Sequence, residues 1–221
     1  MRWFCLFLIL LLPSEARAGP WLRPVNQGFV SVRGALAWPS GTQLMTQSQS
    51  LFAEFGATEK TTVFIKIDKG SNRDISVLVG AKRMLRHAEN GWRASYTLGI
   101  GQTTQGTDAP ATLSAGLSLG RNITAFGTPG WLSLDADIFL YETRLPTGGK
   151  LLGTAGITLK NQVKLMLQLS AESQAGQAWF FGIEPSFALP ISDQQHLKIG
   201  LSKQTYGNGA LGASLEIWTT F

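Results

Sequence analysis

Asp135 and Asp137 are the one pair of acidic side chains spaced two apart, and the chain has only two histidines, His87 and His196. On a β-strand, residues two apart share a face, so these carboxylates stand side by side. Such a pair can do general acid–base work, hold a metal together with a histidine, or accept from lysines as a salt-bridge partner. The sequence argues against the first two. His87 follows the fourth of the strands assigned below and His196 opens the eleventh, whereas the aspartates lie in mid-strand. A structural ion pair is therefore expected at Asp135 and Asp137, with no catalytic residue, metal site or cofactor. Gly99-Ile100-Gly101 lacks the third glycine of a dinucleotide loop, and these glycines are read as space for neighbouring side chains.

The single cysteine, Cys5, lies in an amino-terminal leader. Met1-Arg2 is a short positive start, Trp3 to Leu12 is an almost unbroken apolar run, and Ala16-Arg17-Ala18 supplies the small residues a signal peptidase reads. The run is about half the ~20 residues that a spanning helix needs, so residues 1–18 read as a cleaved signal peptide and 19–221 as a single domain. Cys5 lacks the small-residue context of a lipoprotein signal. Without the leader there is no thiol nucleophile, no thiolate metal site and no disulfide, so stability must come from strand pairing and burial. The formal net charge is +5, and the basic residues are scattered, with Lys82-Arg83 the densest point. That excludes a nucleic-acid groove.

The elements that must position these side chains are strands. No apolar stretch after residue 18 approaches spanning-helix length. Instead, twelve segments of alternating polarity are separated by Gly, Pro, Asn or Asp breaks. They run over about 28–38, 47–56, 61–68, 73–85, 92–102, 112–121, 131–142, 150–160, 162–172, 177–189, 196–203 and 209–221. Leu132, Leu134, Ala136, Ile138 and Leu140 alternate with Trp131, Ser133, Asp135, Asp137 and Phe139. Pro185 is expected to weaken pairing or mark a bulge. Over all segments the polar phase carries Arg33, Glu54, Lys66, Asp68, Lys82, Arg93, Asp135, Asp137, Lys164, Glu172, Glu184, His196, Lys198 and Glu216.

The last segment is the most telling. Phe221, Thr219, Ile217, Leu215, Ala213 and Leu211 share one face, against Thr220, Trp218, Glu216, Ser214 and Gly212. An apolar-faced strand ending on a carboxyl-terminal Phe resembles the closing strand of bacterial outer-membrane β-barrels. The resemblance, to the class as a whole, extends over the signal peptide and the twelve segments. It implies an antiparallel up-and-down barrel of about twelve strands in the outer membrane of a Gram-negative cell. It also implies contact with outer-membrane lipid, and recognition of Phe221 by the barrel-assembly machinery. Even strand numbers and closure without an edge suit that solvent.

If both termini face the periplasm, Trp38 and Trp179 fall at the outer rim of the apolar face. Phe55, Trp92, Phe187 and Phe221 fall at the periplasmic rim, making the two aromatic belts of a membrane barrel. The polar phase then lines a narrow lumen. Two readings stay open for it: a cross-lumen ion-pair network that fills the interior, or a hydrated, mixed-charge channel that passes a small polar or ionic solute. Outer-membrane hydrolases act at or above the outer rim. Both histidines lie at the other end, so an enzyme is the least favoured function.

Overall fold

The computed structural model describes residues 19–39, 45–70, 74–88, 91–104, 109–142, 144–173, 178–205 and 209–221, with side chains of 144–147 excepted. The leader, residues 1–18, lies outside the described residues.

Twelve strands follow one another: β1 (Gly28–Pro39), β2 (Thr46–Thr58), β3 (Thr61–Lys69), β4 (Ile75–His87), β5 (Trp92–Thr103), β6 (Ala111–Ala125), β7 (Thr128–Tyr141), β8 (Arg144–Thr158), β9 (Lys164–Ser173), β10 (Phe180–Ser192), β11 (Gln195–Gln204) and β12 (Ala210–Thr220). Each pairs antiparallel with its sequence neighbours, and β1 pairs with β12 to close the ring. The closing register sets Arg33 opposite Glu216 and Phe29 opposite Thr220. The backbone of Phe221 extends this seam: Gly28 N–H donates to its carbonyl at 2.7 Å, and its own N–H donates to Gly28 O at 3.1 Å.

A ring without edges satisfies the backbone only if every strand keeps its phase, and here the alternation holds around the circle. Val32, Leu98, Ile100, Leu117, Leu134, Leu169, Leu201 and Leu215 all point outward and are exposed. A sheet packed on a partner would bury such residues, so this surface is built for lipid rather than for water. The buried apolar side chains are few and lie inside the ring: Trp21, Phe29, Leu78, Met166 and Ala188. Leu117→Arg, at mid-strand on the outer face, is expected to cost about 2–4 kcal/mol. Urea unfolding of the refolded chain in lipid vesicles would measure it; an unchanged midpoint would mean this face does not meet hydrocarbon.

Several details differ from the pattern-based expectation, among them the start of β8, at Arg144 rather than 150, and the end of β10, at Ser192 rather than 189. The connection across 122–130 is a two-residue hairpin turn: β6 and β7 continue to Ala125 and Thr128. Phe126 and Gly127 adopt the paired left-handed conformation (φ 52° and 71°) that suits the twist of adjoining strands. Gln162 belongs to a turn (φ 63°), not to β9. Pro185 leaves the register of β10 intact, but its missing N–H removes the Glu184 and Pro185 rungs to β11; the register shift lies at Pro190–Ser192.

The lumen as candidate functional site

The lumen differs sharply between its two ends. At the end where β1 starts and β12 finishes, the chain preceding β1 is folded into the barrel. Residues 24–27 are fastened to the tip of β2, through Asn26 N–H to Gly56 O (3.0 Å) and Gly56 N–H to Gln27 O (2.9 Å). From there Gly19–Arg23 crosses the interior. Arg23 N–H donates to Thr62 Oγ1 of β3 at 2.8 Å, and its guanidinium lies 4.3 Å from the centre of the Phe29 ring on β1. Pro20 and Trp21 reach β6, where Gly120 leaves the space they fill: a Cβ there would stand 3.0 Å from both. Gly19 ends the crossing against Ser133 of β7, the strand opposite β1 in a ring of twelve. Trp21 is 2% exposed. The segment is a strap across the lumen.

Glu54 holds the strap. Its two oxygens take Arg23 Nε at 2.8 Å and Lys82 Nζ at 2.9 Å, and Lys82 also donates to Gly19 O at 3.1 Å. All three side chains are largely withdrawn from solvent. Charges in such a place persist only when paired and hydrogen-bonded, and here Arg23 and Lys82 share one carboxylate.

The wall of β9–β12 and β1 carries a second ion-pair network. Glu184 takes Arg33 at 2.5 Å and Lys198 at 3.1 Å; Lys198 also pairs with Glu216 at 3.5 Å and donates to Gln168 Oε1 at 2.9 Å. These groups span strands from β9 to β1 and brace the ring from within. Lys164 and His196 lie below them, near the start of β9 and β11. His196 Nε2 is buried without a hydrogen-bond partner.

Toward the other end the lumen widens into a cavity of about 670 Å³. Hydroxyl and amide side chains such as Ser48, Ser50, Ser170, Ser202, Gln168 and Gln204 line it. Most of its charges are paired along the wall: Arg33 with Glu184, Lys66 with Asp68 at 2.9 Å, and Lys150 with Glu172. This is a polar, mixed-charge vestibule.

The structure places each sequence-derived candidate as follows. Arg33, Glu184, Lys198 and Glu216 meet in one network, and Lys66 lines the vestibule. Glu54 anchors the strap. Arg93 is inward on β5, opposite Gly120 and so beside the strap. Asp135 and Asp137 are inward on β7, opposite Ser118 and Gly116 of β6, and are not joined to His196. Among the described residues no cluster of three or more His, Cys, Asp or Glu is arranged to hold a metal ion. Trp38, Phe55, Trp179, Phe187 and Phe221 are exposed on the outer face, and the half-buried Trp92 lies on the same face with Arg121 over it at 5.5 Å. The sequence reading misses the strap. Nine residues without alternation form no strand, and the only sign is an apolar and cationic run, Trp21-Leu22-Arg23, between Pro20 and Pro24.

These features define a class: a closed, twelve-stranded transmembrane β-barrel of the outer-membrane type. No family model matches the sequence, and no curated protein does. Among solved structures the fold is similar to an outer-membrane channel of the COG4313 group from Pseudomonas putida F1 (TM-score 0.65, 10% identity, 96% of this chain and 100% of that one). It is also similar to the KdgM porin (0.62, 9%, 86% and 99%) and the NanC porin (0.60, 9%, 86% and 98%). At these identities the likeness concerns the fold.

Proposed function

We propose that this protein is an outer-membrane channel for passive movement of small polar or ionic solutes. Solutes enter from the cell surface through the vestibule, and the Gly19–Arg23 strap closes the periplasmic end. The observation that carries this reading is the 670 Å³ polar vestibule, whose path through the ring ends on a strap held by side chains rather than on strand backbone. Channel-type barrels among the similar folds support it. The acidic side chains of the lumen serve ion pairs or stand away from both histidines, so hydrolysis is not part of the proposal. In this reading the leader is removed after Ala18, both termini face the periplasm, and the assembly machinery takes up the strand that ends at Phe221.

A second reading, a closed barrel that supports the envelope, is favoured by the burial of Trp21 and by the two ion-pair networks. Swelling of liposomes loaded with refolded protein separates the two. A chain beginning at Pro24, which lacks the strap, should admit small sugars and amino acids several-fold faster than one beginning at Gly19. If neither admits solute, the barrel is closed and the channel reading fails.

A further inference from the structure

We propose that Asp135 is the docking site for this chain's own α-ammonium, the group created at Gly19 when the leader is cut off after Ala18. The inference rests on the channel reading and on that cleavage, and it makes removal of the leader a condition for the strap to lock.

Gly19 is held at the tip of the strap by contacts that leave little freedom. Its φ is +89°, and a Cβ there would lie 2.7 Å from Ser133 Cβ, so only glycine fits without a shift. Its carbonyl takes the Lys82 ammonium at 3.1 Å. The nitrogen of the same residue is thereby confined to the corner between β4, β6 and β7.

That corner holds acceptors with no cation in contact. Ser133 is 7% exposed, and its hydroxyl, which serves the Asp135 carboxylate, would stand 3.1 Å from a Cβ on Gly19. Asp135 is the next inward residue along β7 and faces Ser118 across the ladder. Among the described residues no ion pair reaches Asp135, because Lys82, the cation bonded to Gly19 O, is committed to Glu54. Hydroxyls of Ser118 and Ser133 serve the carboxylate and Lys82 attracts it from a distance, but a carboxylate without a cation in direct contact is costly in a lumen this dry. Hydrolysis of the Ala18–Gly19 peptide bond turns an amide nitrogen with one N–H into an ammonium with three donors and a full charge. Those donors supply what the hydroxyls around Asp135 cannot: a cation at hydrogen-bonding distance from the carboxylate. In an uncut chain the Gly19 nitrogen is an amide and carries no charge.

The test uses folded protein purified from outer membranes, with its first residue established by sequencing. A water-soluble acylating reagent is applied near neutral pH, and acylation of the α-amine is followed by mass spectrometry of the amino-terminal peptide. The folded chain should react at least about tenfold more slowly than the heat-unfolded chain, the factor that about 1.4 kcal/mol of pairing corresponds to. Asp135→Asn should lose most of that protection and Asp135→Glu should keep it. Protection equal in Asp135→Asn and wild type would mean burial alone shields the terminus, and would overturn the proposal, as would a first residue other than Gly19. Should Asp135→Asn not fold, a refolded chain that retains Ala18 gives the answer. It should conduct in a planar bilayer well above the chain starting at Gly19, and equal conductance overturns the proposal. The chain starting at Pro24, measured alongside, reports on the channel reading separately.

Discussion

Glu54→Gln should open the barrel without unfolding it. The substitution keeps the shape of the side chain but removes the carboxylate that Arg23 and Lys82 share in a largely dry lumen. Removing one partner from a buried pair typically costs about 3–5 kcal/mol. The cheapest relief is local: Arg23 is on the strap, so withdrawal of Gly19–Arg23 returns its charge to water and admits water to Lys82. Most of the cost therefore falls on the balance between strapped and unstrapped forms, which should shift by about a hundredfold or more. Planar-bilayer recordings should show open time rising by that order, while the urea midpoint for unfolding the whole barrel moves little. A large loss of barrel stability with no gain in conductance would show that Glu54 supports the wall rather than the strap.

Lys198→Met should do the opposite. Lys198 is 4% exposed and compensates Glu184 and Glu216, with Gln168 beside it. Its partners stand on β9, β10 and β12, which cannot withdraw without breaking the ladder. Arg33 still neutralises Glu184, so Glu216 loses its ion pair with Lys198 and keeps only Arg33, opposite it across the seam. The expected cost is about 3 kcal/mol, near the lower end for a broken buried pair, and it should appear as a lower urea midpoint in vesicles, with conductance unchanged. A rise in conductance at constant stability would place the gate on this wall instead. The contrast between the two variants separates the flexible anchor from the fixed brace, though both are buried ion pairs.

Why the strands were legible and the strap was not follows from the same physics. A membrane barrel must put an apolar side chain outward at every second position, because lipid meets one face and water or polar side chains the other. Leu132 to Leu140 and Leu211 to Phe221 carry that rule on their surface, and closure follows because no backbone edge survives in lipid. The inward phase of Arg33, Glu184, Lys198 and Glu216 comes with it. Which of those charges meet is a matter of ring register: Arg33 on β1 reaches Glu184 on β10 across two intervening strands, a relation absent from any local pattern. Residues 19–27 obey a different constraint. They are shaped by a cavity whose walls come from β1, β3, β6 and β7, so only the assembled ring explains why Trp21 lies against Gly120. The two-residue turn at Phe126-Gly127 was hidden for a simpler reason, since polar Asn122 and Thr124 beside Pro129 read as a loop although they sit on the inner face of a long hairpin.

The most direct test of a channel closed by its own strap fixes the strap in place within one molecule. With the leader gone the chain has no cysteine, so Pro20→Cys with Gly120→Cys introduces a single thiol pair. A Cβ at 120 would stand 3.0 Å from the Pro20 ring, and 2.6 Å from Leu132 O, which must shift to admit it. Disulfide geometry requires Cβ atoms about 3.5–4.5 Å apart, within reach of this contact. Single-channel recordings would be made on the oxidised protein and again after adding reductant. The account predicts silence when oxidised and discrete, ion-dependent steps after reduction. Conductance that persists with the disulfide closed, or silence that persists after reduction, would contradict it.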